Sequence, residues 1–497
     1  MTGINNLPEE VIALIGSHLD KKDINAAIRT CRLFHNALRH LLWRHLSFPT
    51  KGGQILLSAA EVEKSAYWVH CLSYRYSVPQ EYWSIHYPNV YNMRIDYYLN
   101  MFPQLQLSTI LLENLDRHHC LLIESNPQVQ NLTLRNLKIP PSITLWDTVI
   151  ASLQNPRQLI FHHSSSLPLD SRDSFWRACS LFEDMDLKIR DAYQDILETL
   201  TFPRLKRLTL EIRDSYTRSN IGLEDYLVWI KTATQLEALA WHMTRGLQFP
   251  TNNFIRELNE RRWPRLESVG LTNVTKPDDV WANIIQLLPP LKEFRTNNRL
   301  FEEQSFARLQ EHHFRTLRSL NVRGCHLFSS RMALSVLTEC VHLEDFRAPY
   351  LRAADLKNRS SISQDWACVG LKYLKLYIAS DPEDPESNEL VCKQLSRLQQ
   401  LKELHFDQWL IFSLPAELKG PLTEQGSLQL RLDAGLAHLS TLKRLTTIYF
   451  DETRQRMRFG EVEWILQNWT ALEEMSGSLS GDTNTQAELE AMFDGTH

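Results

Sequence analysis

The chain has 497 residues and a formal net charge of −5, from 54 Lys and Arg against 59 Asp and Glu. That is too long for one compact core and points to several domains or to a repeat array that grows along one axis. An acidic balance with no Lys/Arg block argues against nucleic acid as the main partner, and 43% hydrophobic with 23% charged residues excludes a disordered or membrane-embedded composition. The first predicted elements are three short helices in residues 7–46. Val11, Ile12, Ile15 and Leu19 form one apolar stripe. Pro8 suits the first turn, with Glu9 and Glu10 complementing the dipole. Asp20, with Asp23 three residues on, offers a cap for the second helix, whose stripe is Ile24, Ala27, Ile28 and Cys31. Leu33, Phe34, Leu38, Leu41, Leu42, Trp43 and Leu46 make the third. So few residues bury too little surface to be stable alone, so part of this apolar surface should face another chain or the domain that follows.

At these residues the chain resembles an F-box, the three-helix module by which substrate receptors of SCF-type ubiquitin ligases hold a Skp1-like adaptor. The matching marks are Leu7-Pro8-Glu9, the Ile12/Ile15/Leu19 spacing, Asp23, Cys31-Arg32 and Leu42-Trp43. The resemblance implies adaptor docking on Leu7, Pro8, Ile12, Ile15 and Leu19, with Leu42 and Trp43 completing the interface and a cullin scaffold reached through the adaptor. From periodicity alone the segment would serve as an ordinary N-terminal helical cap.

Beyond it one pattern recurs: apolar, two variable, apolar, one variable, apolar. Clear copies are Leu205/Leu208/Leu210, Leu236/Leu239/Trp241, Leu266/Val269/Leu271, Leu317/Leu320/Val322, Leu371/Leu374/Leu376 and Leu401/Leu404/Phe406. Weaker ones start at Val69, Val90, Val129, Phe182, Leu291, Leu343, Leu442 and Leu472. The mean step from Leu205 to Leu401 is 28 residues, the range of a leucine-rich repeat. The alternating end of each copy reads as a short strand buried on one face. Helical segments at 226–230, 280–285, 332–337 and 462–466 precede several copies. Units of helix, loop and strand require parallel pairing. Strands pack about 4.8 Å apart and helices about 8–10 Å apart, so the expected α/β architecture is a horseshoe with a parallel inner sheet and outer helices.

This part resembles the repeats of F-box/leucine-rich-repeat proteins, including their cysteine-containing variety, in Cys325 closing a strand motif and in Cys340 and Cys368 before the next strands. Read as residues, each cysteine is a small buried hydrophobe. The expected domains are an F-box at 1–50, a repeat solenoid at 51–475 and a polar tail at 476–497 that frays apart from a helical turn around 486–493. Polar interruptions at 163–174, 380–389 and 413–426 read as loops.

No cofactor or metal site is expected. The eight cysteines include no C-x-x-C pair, so reduced intracellular thiols are the default. The histidine pairs at 118, 162 and 312 lack H-E-x-x-H spacing, and no G-x-G-x-x-G, Walker A or G-x-S-x-G motif occurs. With no apolar run near the roughly 20 residues of a membrane span and no secretory signal, the expectation is a cytoplasmic or nuclear protein that is not an enzyme.

The residues alternating with the buried leucines should line the inner face. Between the second and third apolar positions stand Thr209, Ala240, Gly270, Arg295, Asn321, Arg347, Lys375 and His405. One position after the third stand Glu211, His242, Thr272, Asn297, Arg323, Pro349, Tyr377 and Asp407. Arg295, Arg323, Arg347 and Lys375, flanked by Tyr373 and Tyr377, would make a basic patch suited to a carboxylate-rich or phosphorylated peptide. A merely solvated charged face is the competing reading. The function expected is that of a substrate-recognition subunit of an SCF-type ligase. The alternative is a protein-binding scaffold acting outside ubiquitin transfer.

Overall fold

Pro8, extended at φ −58° and ψ 148°, stands just before the first helix, and its carbonyl accepts the N–H groups of Val11 and Ile12 at 3.1 and 3.2 Å. It therefore caps helix α1 (Glu9–Gly16) one residue earlier than a first-turn proline would. Asp20 caps α2 (Lys21–Ala27) by accepting the Asp23 N–H at 2.7 Å, and α3 (Arg32–Trp43) completes the module. Ile12, Ile24, Ala37 and Leu38 form its buried centre, with Ala27, Ile28, Leu33, Phe34, Leu41 and Leu42 packed around them. Gly16 lets α1 approach α3: a Cβ there would lie 2.2 Å from Leu38 Cδ2 and 2.8 Å from Leu41 Cδ1.

The computed structural model describes residues 8–43, 45–48, 71–74, 107–113, 119–135, 141–163, 167–189, 200–212, 224–243, 249–357, 365–381, 384–406, 426–450, 453, 455–480 and 483–494. The chain divides into two compact units, Met1–Leu236 and Glu237–His497. In the first, strands β1 (His45–Phe48), β2 (Cys71–Tyr74), β3 (Thr109–Glu113), β4 (Asn131–Arg135), β5 (Gln158–His162), β6 (Asp184–Ile189) and β7 (Arg207–Ile212) pair in sequence order, each parallel to the next. The register stacks like on like, Leu132 beside Leu159, Met185 and Leu208, all buried. Three of these strands lie outside the expected copies: β1 holds Leu46, which the periodicity assigns to the third helix, β5 has Pro156 where its first apolar residue belongs, and β3 carries Leu107, Ile110 and Leu112 at the repeat spacing. The copy at Val90 lies outside the described residues.

In the second unit β8 (Ala238–Met243), β9 (Ser268–Thr272), β10 (Glu293–Thr296), β11 (Ser319–Asn321), β12 (Asp345–Arg352), β13 (Tyr373–Ala379), β14 (Glu403–His405), β15 (Thr447–Tyr449) and β16 (Glu474–Ser476) repeat the arrangement. Helices such as Asp278–Leu287 and Glu303–His313 lie between strands and bury one side, and Ser330–Glu339 is buried around most of its circumference, from Met332 through Leu337. A three-helix module followed by helix–strand units on a parallel sheet is the α/β architecture expected, an F-box with a leucine-rich-repeat solenoid. The unit expected at Leu442 runs three residues later, with Leu445, Ile448 and Phe450 as its buried positions.

Two interruptions read as loops contain helix. Arg172–Cys179 is helical after a short 3-10 turn at Leu169–Ser171. Pro385–Leu395 is helical because Asp384 caps it, accepting the Ser387 N–H at 3.2 Å and hydroxyl at 2.6 Å, with proline next in the chain. Apart from Gly426, the interruption at 413–426 lies outside the described residues. Near the end of the chain, Thr483–Asp494 forms a helix.

Buried and half-buried polar side chains bolt neighbouring repeats together. Asn126 accepts the Leu107 N–H at 3.3 Å, and the Thr232 hydroxyl accepts that of Phe202 at 3.0 Å. In the second unit His313 takes this part: Nδ1 accepts the Leu291 N–H at 3.2 Å and Nε2 faces the Ile285 carbonyl at 3.0 Å. The ring is therefore neutral with its proton on Nε2, and burial pulls its pKa down to about 4. Cys325, Cys340 and Cys368 are free and buried, and burial raises each thiol pKa.

Candidate functional site

Two surfaces stand out, one on the helical module and one on the open face of the second unit's strands. Helix α1 sends Ile12 inward, where it is 3% exposed, and leaves Val11, Leu14 and Ile15 at 39%, 65% and 48% exposure, while Leu19, expected on the same stripe, stands in the turn after the helix at 38%. Its apolar residues therefore form two faces rather than one stripe. One anchors the helix on α3 and the other is exposed among the described residues. Of the expected adaptor residues, Pro8, Ile15 and Leu19 lie on the outer side, Ile12 lies in the core and Leu42 is half-buried against the cluster. Leu7 and the side chain of Trp43 lie outside the described residues. Leu14, the most exposed apolar residue of α1, was missed because it falls off the stripe to which Ile12 belongs.

On the second surface the expected column is in register: Ala240, Gly270, Arg295, Asn321, Arg347, Lys375 and His405 stand on successive strands. Tyr449 continues it on β15. The sequence pattern carries the column to His405 and not to Tyr449, because the motif expected at Leu442 runs three residues later in the structure. Arg295 is exposed, and Arg323 lies past the end of β11 with its backbone N–H on Asn321 Oδ1 at 3.3 Å.

The arginines do not form a simple basic patch. Arg347 is spent within the chain, its Nε and a terminal nitrogen donating to the two Asp345 carboxylate oxygens at 3.0 Å each. Its guanidinium also lies 4.2 Å over the Tyr373 ring. Tyr373 in turn lies 4.9 Å from His405, and His405 stacks on Tyr449 at 4.5 Å with 27° between the planes. Burial raises the Tyr373 phenol pKa, with Arg347 opposing it and Glu403 adding to it. Glu403 Oε2 lies 3.5 Å from His405 Nε2.

Tyr377 does not belong to this surface. It is fully buried, its hydroxyl donates to the Gly426 carbonyl at 2.7 Å and burial drives its pKa up. Simple alternation placed it outside, and two features defeat that. A bulge between Ala348 and Tyr350 shifts the pairing of β12 with β13. Residues 426–428 then run over the end of β13, where Leu428 N–H donates to Ile378 O at 2.9 Å and Ser427 bridges Ala379. Pro349 is buried at the same bulge, and Asp407 lies outside the described residues.

Among the described residues no group of three or more His, Cys, Asp or Glu side chains is placed to hold a metal, and no helix is long and apolar enough to cross a membrane. The paired histidines diverge as neighbours on a helix must: His313 is buried while His312 is exposed.

Residues 4–49 match the F-box-like family. No curated protein matches the chain. Among solved structures it is similar to one titled "Crystal structure of Rad7 and Elc1 complex in yeast", at 14% identity over 74% of this chain and 88% of that one, with a TM-score of 0.43.

Proposed function

We propose that this chain, an F-box-like domain joined to a leucine-rich-repeat solenoid, is the substrate-recognition subunit of an SCF-type ubiquitin ligase. One observation carries the reading: within the F-box-like match, α1 and the turn after it present Val11, Leu14, Ile15 and Leu19 outward in a module whose interior is already filled by Ile12, Ile24, Ala37 and Leu38. Four exposed apolar side chains, three on one short helix and the fourth in the turn that follows, suit a stable protein partner, here a Skp1-like adaptor with a cullin scaffold behind it. The repeats from residue 51 onward then hold a target protein. The chain contributes no bond-making chemistry in this reading. It raises the concentration of the target beside a ubiquitin-charged enzyme carried elsewhere in the assembly.

A protein-binding scaffold outside ubiquitin transfer would share the adaptor and lack the cullin. Reconstitution separates the two. The purified chain and a Skp1-type adaptor should co-elute with a cullin on size exclusion, and the adaptor complex failing to take up cullin would favour the scaffold.

A further inference from the structure

We infer that the centre of the target surface is the stacked run of Arg347, Tyr373, His405 and Tyr449 across β12–β15, and that it takes a basic segment of a partner protein. This rests on the reading that the repeats hold the target. On the neighbouring strands the same register carries no ring: Ser268 and Gly270 on β9, Glu293 and Arg295 on β10, Ser319 and Asn321 on β11. Across β12–β15 it carries a cation and three rings in unbroken contact, at 4.2, 4.9 and 4.5 Å. His405 is 8% exposed because rings cover it on both sides, so the run is rigid and loses little side-chain freedom when a partner covers it. Tyrosine and arginine, held in this way, are the residues on which interface energy concentrates.

The charges around the run choose the occupant. An acidic or phosphorylated segment needs free guanidinium or ammonium groups. At the run itself Arg347 already has both Asp345 oxygens and Lys375 is engaged within the chain, and the exposed Arg295 stands two strands away on β10. The carboxylates at the Tyr449 end are less committed. Glu403 is 46% exposed and its near neighbour is the His405 ring, 3.5 Å away. Glu474, two strands beyond Glu403 in the same column, is exposed. A segment pairing Lys or Arg with an aromatic or aliphatic neighbour meets both: cation on Glu403 and Glu474, apolar part along the rings.

The test uses the full chain with its adaptor and fluorescent synthetic peptides of one apolar pattern, carrying Lys/Arg, Glu or phosphoserine at the remaining positions, read by anisotropy. The basic peptide should bind most tightly. Tyr373→Ala, Tyr449→Ala and the surface change Glu403→Lys should each weaken it by about tenfold or more, while Arg295→Glu leaves it unchanged. Circular dichroism checks the alanine variants, and Glu403→Lys keeps the test decisive should they unfold. Tighter binding of the Glu or phosphoserine peptide, no binding of the basic one, or binding indifferent to Glu403→Lys overturns the inference. A preparation that holds the adaptor but ignores the basic peptide refutes this site alone. One that binds the peptide but no adaptor refutes the ligase reading alone.

Discussion

His313 shows how a single side chain ties one repeat to the next and what that costs in acid. Its ring serves the Leu291 N–H and the Ile285 carbonyl at once, which only the neutral form can do. With a folded pKa of about 4 against the ordinary 6.5, the unfolded chain takes up the proton first as pH falls. The stability that rests on this ring is whole above 6.5 and drains away as pH falls toward 4, by about 3 kcal/mol in the limit. Urea midpoints should therefore drop on acidification from about pH 7 to about pH 5. The non-titrating His313→Gln should drop less over the same step, and an equal drop in both would remove His313 from the account. Gly324 is a second such point. A Cβ there would lie 2.3 Å from Asn297 Cβ and 3.0 Å from its Cα, so the two strand ends would have to part. Gly324→Ala should cost about 1–3 kcal/mol in chemical denaturation, and a midpoint equal to the parent's would show that the close approach does not matter.

Helix α1 divides its apolar residues between two tasks, and substitutions should separate them. Ile12→Asp buries a carboxylate in the Ile24, Ala37 and Leu38 cluster and should unfold the module, read as lost helical signal in the isolated 1–50 segment if it folds, or in the full chain otherwise. Leu14→Asp and Ile15→Asp should leave that signal intact, since both side chains are on the outside. Helical loss from Leu14→Asp equal to that from Ile12→Asp would mean that the outer face is not free. These elements also show what could be read in advance. The heptad-like spacing gave the helix, and the alternation of leucines gave the strands and their register from Ala240 to His405, because both periods follow directly from burial of one face. The two sides of α1 were not legible: Val11, Ile12, Leu14 and Ile15 are all apolar, and only the packing against Leu38 says which one turns in. Tyr377 failed for a different reason. A bulge and the segment beginning at Gly426, 49 residues further along the chain, decide its fate, and neither leaves a mark in the local pattern. Asp384 and Pro385 did leave one, a cap followed by proline, inside a stretch whose acidity drew the reading toward a loop.

At the scale of the whole molecule, the helical module presents an exposed apolar face and the repeats an ordered, ring-lined strand face. In the proposed function these two faces hold an adaptor and a target, which calls for no reactive group. The claim on which this depends is that the outer face of α1 is an adaptor site. Isothermal titration of the purified full chain with a Skp1-type adaptor measures it directly. An equimolar complex should form, weakened by about tenfold or more by Leu14→Asp or Ile15→Asp and unaffected by Arg323→Glu or Glu403→Lys. No heat of binding from a folded chain, or an affinity that ignores the α1 changes and falls with those on the strands, would contradict it.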